Sequence, residues 1–249
     1  MPILSELGPT LIGVLLLAAL ATAVLAAYGV PHRWAPLLAI LRGALQLAVI
    51  SVILSGVITS PVWVGLALAV MFCVAAGTAT HRIGWSLDHA LMMAAAMALG
   101  ITVTLGIVFV SGAIEFSPRY VLAIGGIIIG NSMSIATLTG RRFTEGVNDH
   151  WDEVEGWLAL GATPRVSTLE LTRNAIYGAL IPSVDQTKTT GLVTLPGAFV
   201  GAIFGGVSPL EAGRFQVVVL AGIMAAGAIT AVIVAAWLAP VRQRPARLT

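Results

Sequence analysis

The chain of 249 residues is 58% hydrophobic and 10% charged, with a mean hydropathy of +0.98. That balance lies far outside the range of soluble globular domains and describes a polytopic membrane protein. The formal net charge of +2 gives no electrostatic reason to expect nucleic acid, and the single cysteine, Cys73, excludes an intrachain disulfide and a thiolate metal cluster.

A bilayer core of about 30 Å asks for about 20 mostly apolar helical residues. Seven segments qualify or nearly qualify: 10–30, 36–57, 61–79, 90–111, 120–139, 191–207 and 213–239. The expected fold is therefore an all-α polytopic membrane protein of about seven transmembrane helices, a single transmembrane domain over 1–249 with one long polar interval, 141–190, between spans five and six. Strands are disfavoured, because open sheet edges cannot be satisfied in lipid and these runs do not alternate as a barrel requires. The first segment has no Lys or Arg before it and no small-residue cleavage site after it, so a retained span is expected rather than a signal peptide.

Polar residues inside the spans stand out. In the second, Arg42 lies several residues in and Gln46 one turn further on the same face. An arginine there snorkels, pairs or faces a wet cavity, and the glutamine points toward a bundle interior. Cys73 in the third span reads as a small buried hydrophobe. Met92, Met93 and Met97 in the fourth read as adaptable core fillers, since no His or Cys joins them at ligand spacing. Asn131 lies near the centre of the fifth span, within IIIGNSMSIATL, where an amide needs a partner. It is either a helix-to-helix lock or part of a transport path.

Small residues at four-residue intervals, Gly126–Gly130–Ser134, Gly197–Gly201–Gly205 and Gly222–Ala226–Thr230, put close-packing faces on the last three spans. The sixth is the least regular, because Pro196 and several glycines interrupt it. Lys and Arg set the orientation. With the N-terminus outside, eleven basic residues fall on the cytoplasmic side and only Arg119 and Arg214 on the other. The polar interval and the C-terminus are then cytoplasmic.

Within that interval Asp149, Asp152, Glu153 and Glu155 cluster near the start of a helix running to about Leu160, where acidic groups complement the helix dipole. Gly161 can end this helix, Thr163 can cap the next, and Pro164 suits its first position. Two rods with a sharp corner result. The second, about 164–181, is expected along the membrane surface or entering it gradually before Pro182. Trp157 and Leu158 on the first rod need cover, either by repacking within the loop or by a soluble partner.

At this point the sequence resembles a known element. Glu155, six residues before Gly161, is similar in spacing to the coupling loop of ATP-binding cassette permeases. More specifically, LRGALQL at 41–47, GGIIIGNSMSIATL at 125–138, LALGATP at 158–164, ALIPSVDQTKTTGLVTLPG at 179–197 and FQVVV at 215–219 resemble, in order and over nearly the whole chain, the UPF0014 family. That family includes bacterial iron-export permeases and plant relatives tied to aluminium tolerance, for which a sugar nucleotide has been proposed as cargo. The resemblance implies a permease subunit in a bacterial inner or plasma membrane, paired with a second copy of itself and with cytoplasmic ATPase subunits. One departure bears on cargo: AFVGAIFGG follows PG where the iron-linked form is rich in Met, Thr and Gln, which weakens an iron assignment.

The reading is an export permease without a cofactor of its own. ATP and Mg belong to the partner, because the chain has no GxxxxGK[ST] phosphate loop. Arg42, Gln46 and Asn131 are the transport-path candidates, and Glu155, Trp157, Gly161 and Lys188 the candidates for docking or transmission. The alternatives are an ATP-independent secondary transporter or channel and a non-transporting scaffold that recruits a soluble protein. An intramembrane enzyme is disfavoured, since the chain has neither HExxH nor GxSxG.

Overall fold

The structure, a computed structural model, describes residues 2–57 and 60–246, with side chains described over 8–51 and 60–246. It divides into two compact units, Met1–Ile58 and Thr59–Thr249. The first holds α1 (Pro2–Ala27) and α2 (Ala35–Val57), which pack on each other. Arg42 and Gln46 are both exposed on α2. After α1 the chain turns at Gly29, whose φ of 73° is open to glycine without strain.

The second unit contains α3 (Pro61–Ile83), α4 (Leu87–Val110), α5 (Pro118–Asp149), α6 (Trp151–Ala159), α7 (Pro164–Ser167), α8 (Leu169–Thr189), α9 (Gly197–Phe204) and α10 (Pro209–Leu238). Proline at the first position starts α3, α5 and α10, where its missing N–H is no loss, and Ser86, Ser117 and Ser208 cap α4, α5 and α10 through their hydroxyls. α4, α5 and α10 pack on one another, α3 lies on α4 and α5, α8 on α5 and α10, and α9 on α10.

The expectation of about seven spans is corrected to five. Among the described residues, the helices long and apolar enough to cross a membrane are Gly8–Ala27, Pro61–Ile83, Leu87–Val110, Pro118–Asp149 and Pro209–Leu238. In the second expected span the described apolar helix covers only Ala35–Ser51, and the rest of that expectation lies outside the residues described with side chains. The sixth, 191–207, is not one helix. Gly191 turns the chain at a φ of 90°, an irregular stretch runs to Pro196, and α9 then supplies only 8 residues, about 12 Å of helix. Leucine, valine and glycine there mimic a span in composition, but the left-handed turn and the proline divide it.

The polar interval also differs from its expected form. α5 continues through Arg141 and Arg142 to Asp149, so the interval opens as an extension of a span. The second rod, expected over 164–181, is two helices, α7 and a longer α8 that runs on to Thr189 and buries Thr172, Ala175, Gly178, Ala179 and Ser183 against its neighbours.

Close helix approach forms the centre of this unit. A Cβ on Gly100 of α4 would sit 2.7 Å from the Ala226 carbonyl of α10, and one on Gly222 would sit 3.1 Å from Ile128 of α5. Thr230 donates across to the Ala96 carbonyl at 3.5 Å. The Gly222–Ala226–Thr230 face is therefore used as expected, whereas Gly197 and Gly201 meet nothing within 4 Å. Met92, Met93 and Met97 are buried core fillers. Cys73, expected to be buried, is exposed on α3.

Candidate functional site at the basic end and along α8

One end of the second unit gathers most of its arginines, around the ends of α3, α5 and α10 and the start of α8. Arg141 donates from Nε to the Arg82 carbonyl at 3.3 Å, tying α5 to the end of α3. Arg244, beyond α10, donates to the Asn148 side chain at 3.2 Å and its carbonyl at 2.8 Å, tying the C-terminal segment to the last turn of α5. The Thr168 hydroxyl lies 2.7 Å from the Ala239 carbonyl and 3.2 Å from the Pro164 carbonyl, which fixes the base of α8 to the end of α10. Phe143, Val147 and Ala175 form an apolar plug beneath these polar ties, flanked by Trp151, Leu171 and Leu238. Arg119 and Arg214 line a separate pocket with Glu115 and Glu211, at the N-terminal ends of α5 and α10.

α6 stands on this basic end as a short acidic elbow. Asp152 and Glu153 occupy its first turn, Val154 is its one buried side chain, and Glu155 is exposed. Its last turn closes by two reverse bonds, Gly161 N–H to the Leu158 carbonyl at 3.0 Å and Ala162 N–H to the Trp157 carbonyl at 3.0 Å. This is a Schellman turn, and Gly161 takes the left-handed position, φ 90°, that the motif needs. Thr163 and Pro164 then start α7, with Thr163 capping by backbone only. Trp157 remains 49% exposed and Leu160 83%, and a groove beside Trp157 is lined by Glu153, Val166, Leu169 and Glu170. Glu155, Trp157 and Gly161 are thus brought together on one element.

Lys188 is not with them. It lies on α8 about 20 residues, or about 30 Å of helix, beyond Thr168. α8 runs antiparallel to α5 and α10: Thr168 meets Ala239, while Leu180, Gly227 and Ile135 meet at a level farther along. Gly178 lets the Arg142 side chain pass, since a Cβ there would lie 2.6 Å from its guanidinium.

Asn131, the fifth-span candidate, donates its amide to the Ile127 carbonyl one turn back at 2.8 Å, an intrahelical partner instead of a helix-to-helix lock. Deeper in the α4, α5 and α10 interface, the Thr104 and Ser132 hydroxyls and the Gln216 amide oxygen are buried without a hydrogen-bond partner. Sequence reasoning passed over Asp185 and Gln186 on α8. Their signal was present as DQTKTT at 185–190, shortly after Pro182, a run too polar for lipid.

These features define a multi-pass, all-α membrane protein with an exposed elbow at its basic end. The chain belongs to the uncharacterised protein family UPF0014, whose family model matches residues 9–241. It is 37% identical over 199 residues to the UPF0014 membrane protein STAR2 of Oryza sativa subsp. japonica, covering 79% of this chain and 70% of that protein. To the protein ALUMINUM SENSITIVE 3 of Arabidopsis thaliana it is 34% identical over 193 residues, 77% of this chain and 71% of the relative. To the probable iron export permease protein FetB of Escherichia coli strain K12 it is 37% identical over 138 residues, 55% and 53% of the two chains. No solved structure matches.

Proposed function

We propose that the chain is the membrane-spanning permease subunit of an ATP-binding cassette exporter for iron or another metal, working as two copies with cytoplasmic ATPase subunits that bring ATP and Mg. The observation that carries this reading is the α6 elbow. A short helix with exposed Trp157 and Leu160, squared off by a rigid Schellman turn, leads through α7 directly into α8. Exposed large apolar groups on a short extramembrane helix suit a socket in a partner. The relative named as a probable iron export permease supports the transport class.

In this reading the basic end faces the cytoplasm, the N-terminus is outside, and the membrane is a bacterial inner or plasma membrane. Closure of the ATPase pair pushes α6, and Gly161 and Thr163–Pro164 hand the push to α8 without bending. Glu155 and Trp157 make the contact; Gly161 keeps the angle. α8 then shifts against α5 and α10, which is a means of alternating access.

Reconstitution of the full chain with a candidate ATPase from the same genome tests this. Formation of a complex and ATP-dependent Fe2+ movement into vesicles is the expected result. Cargo movement that needs no ATPase, or no complex with correctly folded chain, overturns it.

A further inference from the structure

The C-terminal half of α8 breaks a rule of membrane architecture if it faces lipid. From the Thr168–Ala239 tie to the Leu180–Gly227 meeting, α8 and α10 advance in step for about 12 residues each, about 18 Å. Carried straight on past Leu180 and through Pro182, which lies inside α8, that register would set Asp185 level with the Gly222–Ile223 turn, near the middle of the 30-residue α10, and with Gly130–Asn131, near the middle of the 32-residue α5. At this depth α10 is apolar, yet α8 shows Asp185, Gln186, Thr187 and Lys188, all exposed, and beyond Ser183 it has no buried residue. The irregular stretch follows, with Leu192 94% exposed and the carbonyls of Gly191, Leu192 and Val193 accepting no backbone hydrogen bond. Irregular backbone at membrane depth persists only inside protein or beside water.

The chemistry of the face indicates what passes it. Thr187 donates its hydroxyl proton to the Ser183 carbonyl at 2.8 Å, Thr189 to that of Asp185 at 2.9 Å, and Thr190 to that of Gln186 at 2.7 Å. Their protons are thus committed to the helix, leaving oxygen lone pairs to face outward. Asp185 and the Gln186 amide oxygen extend the acceptor surface. Lys188 is its one cation, with Nζ 4.0 Å from the Asp185 carboxylate, and both side chains are well exposed, 71% and 63%.

We infer that Asp185–Thr190 line a water-filled part of the transport path, and that this wall passes a hard, oxygen-seeking cation in its own water. Asp185 and Gln186 are the contact residues, and Lys188 balances Asp185 when no cation is present. Such cations take oxygen ligands and keep part of their hydration shell, and a path that releases its cargo needs several weak contacts instead of one tight cage. The cargo class rests on the permease reading; the presence of water does not.

The test is thiol labelling of the full chain in native membrane vesicles, on a Cys73→Ala background. Gln186→Cys and Thr187→Cys are compared with Ala221→Cys, which is exposed on α10 at the same level of that register. Because reaction requires the thiolate, and so water, the α8 positions are expected to react at least about tenfold faster than Ala221→Cys. At Gln186→Cys a cationic methanethiosulfonate is expected to react several-fold faster than an anionic one of similar size. Equal, slow reaction at all three positions overturns the wet wall, and a preference for the anionic reagent overturns the cation class. Rapid labelling without any ATPase dependence of Fe2+ flux supports the wall while sinking the proposed permease; ATP-driven flux with slow labelling does the reverse. Asp185→Asn is expected to lower Mn2+ and Fe2+ flux with labelling of Gln186→Cys retained. Unchanged flux removes Asp185 from the path.

Discussion

Two helices of the second unit lie along the same neighbour and have opposite characters. α4 meets α10 through glycine, alanine and threonine at distances that leave no room for a methyl group, and its mid-section is buried and apolar. α8 meets α10 in the same manner only as far as Ser183, then shows charge and hydroxyls at the level where α4 carries Thr104, Leu105 and Val108. In lipid there is no hydrophobic drive between helices, so small-residue packing supplies the association. Where that packing stops, the chain is released for another task. Gly100 and Gly227 therefore hold a frame, and the second half of α8 is the part attached to it that can change its surroundings.

The largest expected effect comes from breaking the frame. Gly100→Leu forces a side chain into the Ala226 backbone, an overpacking that costs about 3 kcal/mol. The purified protein is expected to lose its monodisperse state at a markedly lower temperature, and unchanged behaviour would mean that α4 and α10 do not meet as described. Trp157→Ala is next. It touches the elbow and not the frame, so membrane insertion and thermal stability should persist while ATPase association weakens by about tenfold or more, as loss of a buried aromatic anchor does. Loss of insertion instead would assign Trp157 to folding. Thr168→Val removes the donor to the Ala239 carbonyl and should destabilise by about 1 kcal/mol, with a larger fall in coupled transport than in basal ATP hydrolysis. The smallest expected effect on activity comes from Gly161→Ala, where a side chain must enter the left-handed region at a cost of about 1–2 kcal/mol in stability. Its readout is the coupling ratio, and a ratio equal to that of the parent would show the elbow angle to be unimportant.

The sequence was most informative where composition and structure share a cause. α3, α4, α5 and α10 were legible because long apolar runs opened by Ser-Pro or capped by serine have no other stable form in lipid. The Schellman corner was legible from Gly161, Thr163 and Pro164 alone. α8 and α9 were misjudged for the reverse reason. Thr172, Ala175, Ala179 and Ser183 lie on one buried face, but beside Arg165, Glu170 and Arg173 they gave no sign that the helix runs past Pro182 to Thr189. The Leu, Val and Gly after Thr190 average to a span, though Gly191 and Pro196 prevent one. Of the candidate residues, Glu155, Trp157 and Gly161 share one element, whereas Lys188 could not be separated from them until the direction of α8 was known.

The tie between Thr168 and the end of α10 has a mechanical consequence. It makes one end of α8 a fulcrum, with the elbow as a short arm on one side and about 30 Å of helix as a long arm on the other. Tilting such a rod by about 10° displaces its far end by about 5 Å, roughly the pitch of one helical turn. Under the proposed coupling, and provided α8 stays rigid through Pro182, a modest push at the elbow would reach Asp185 and Lys188 as a stroke of that size.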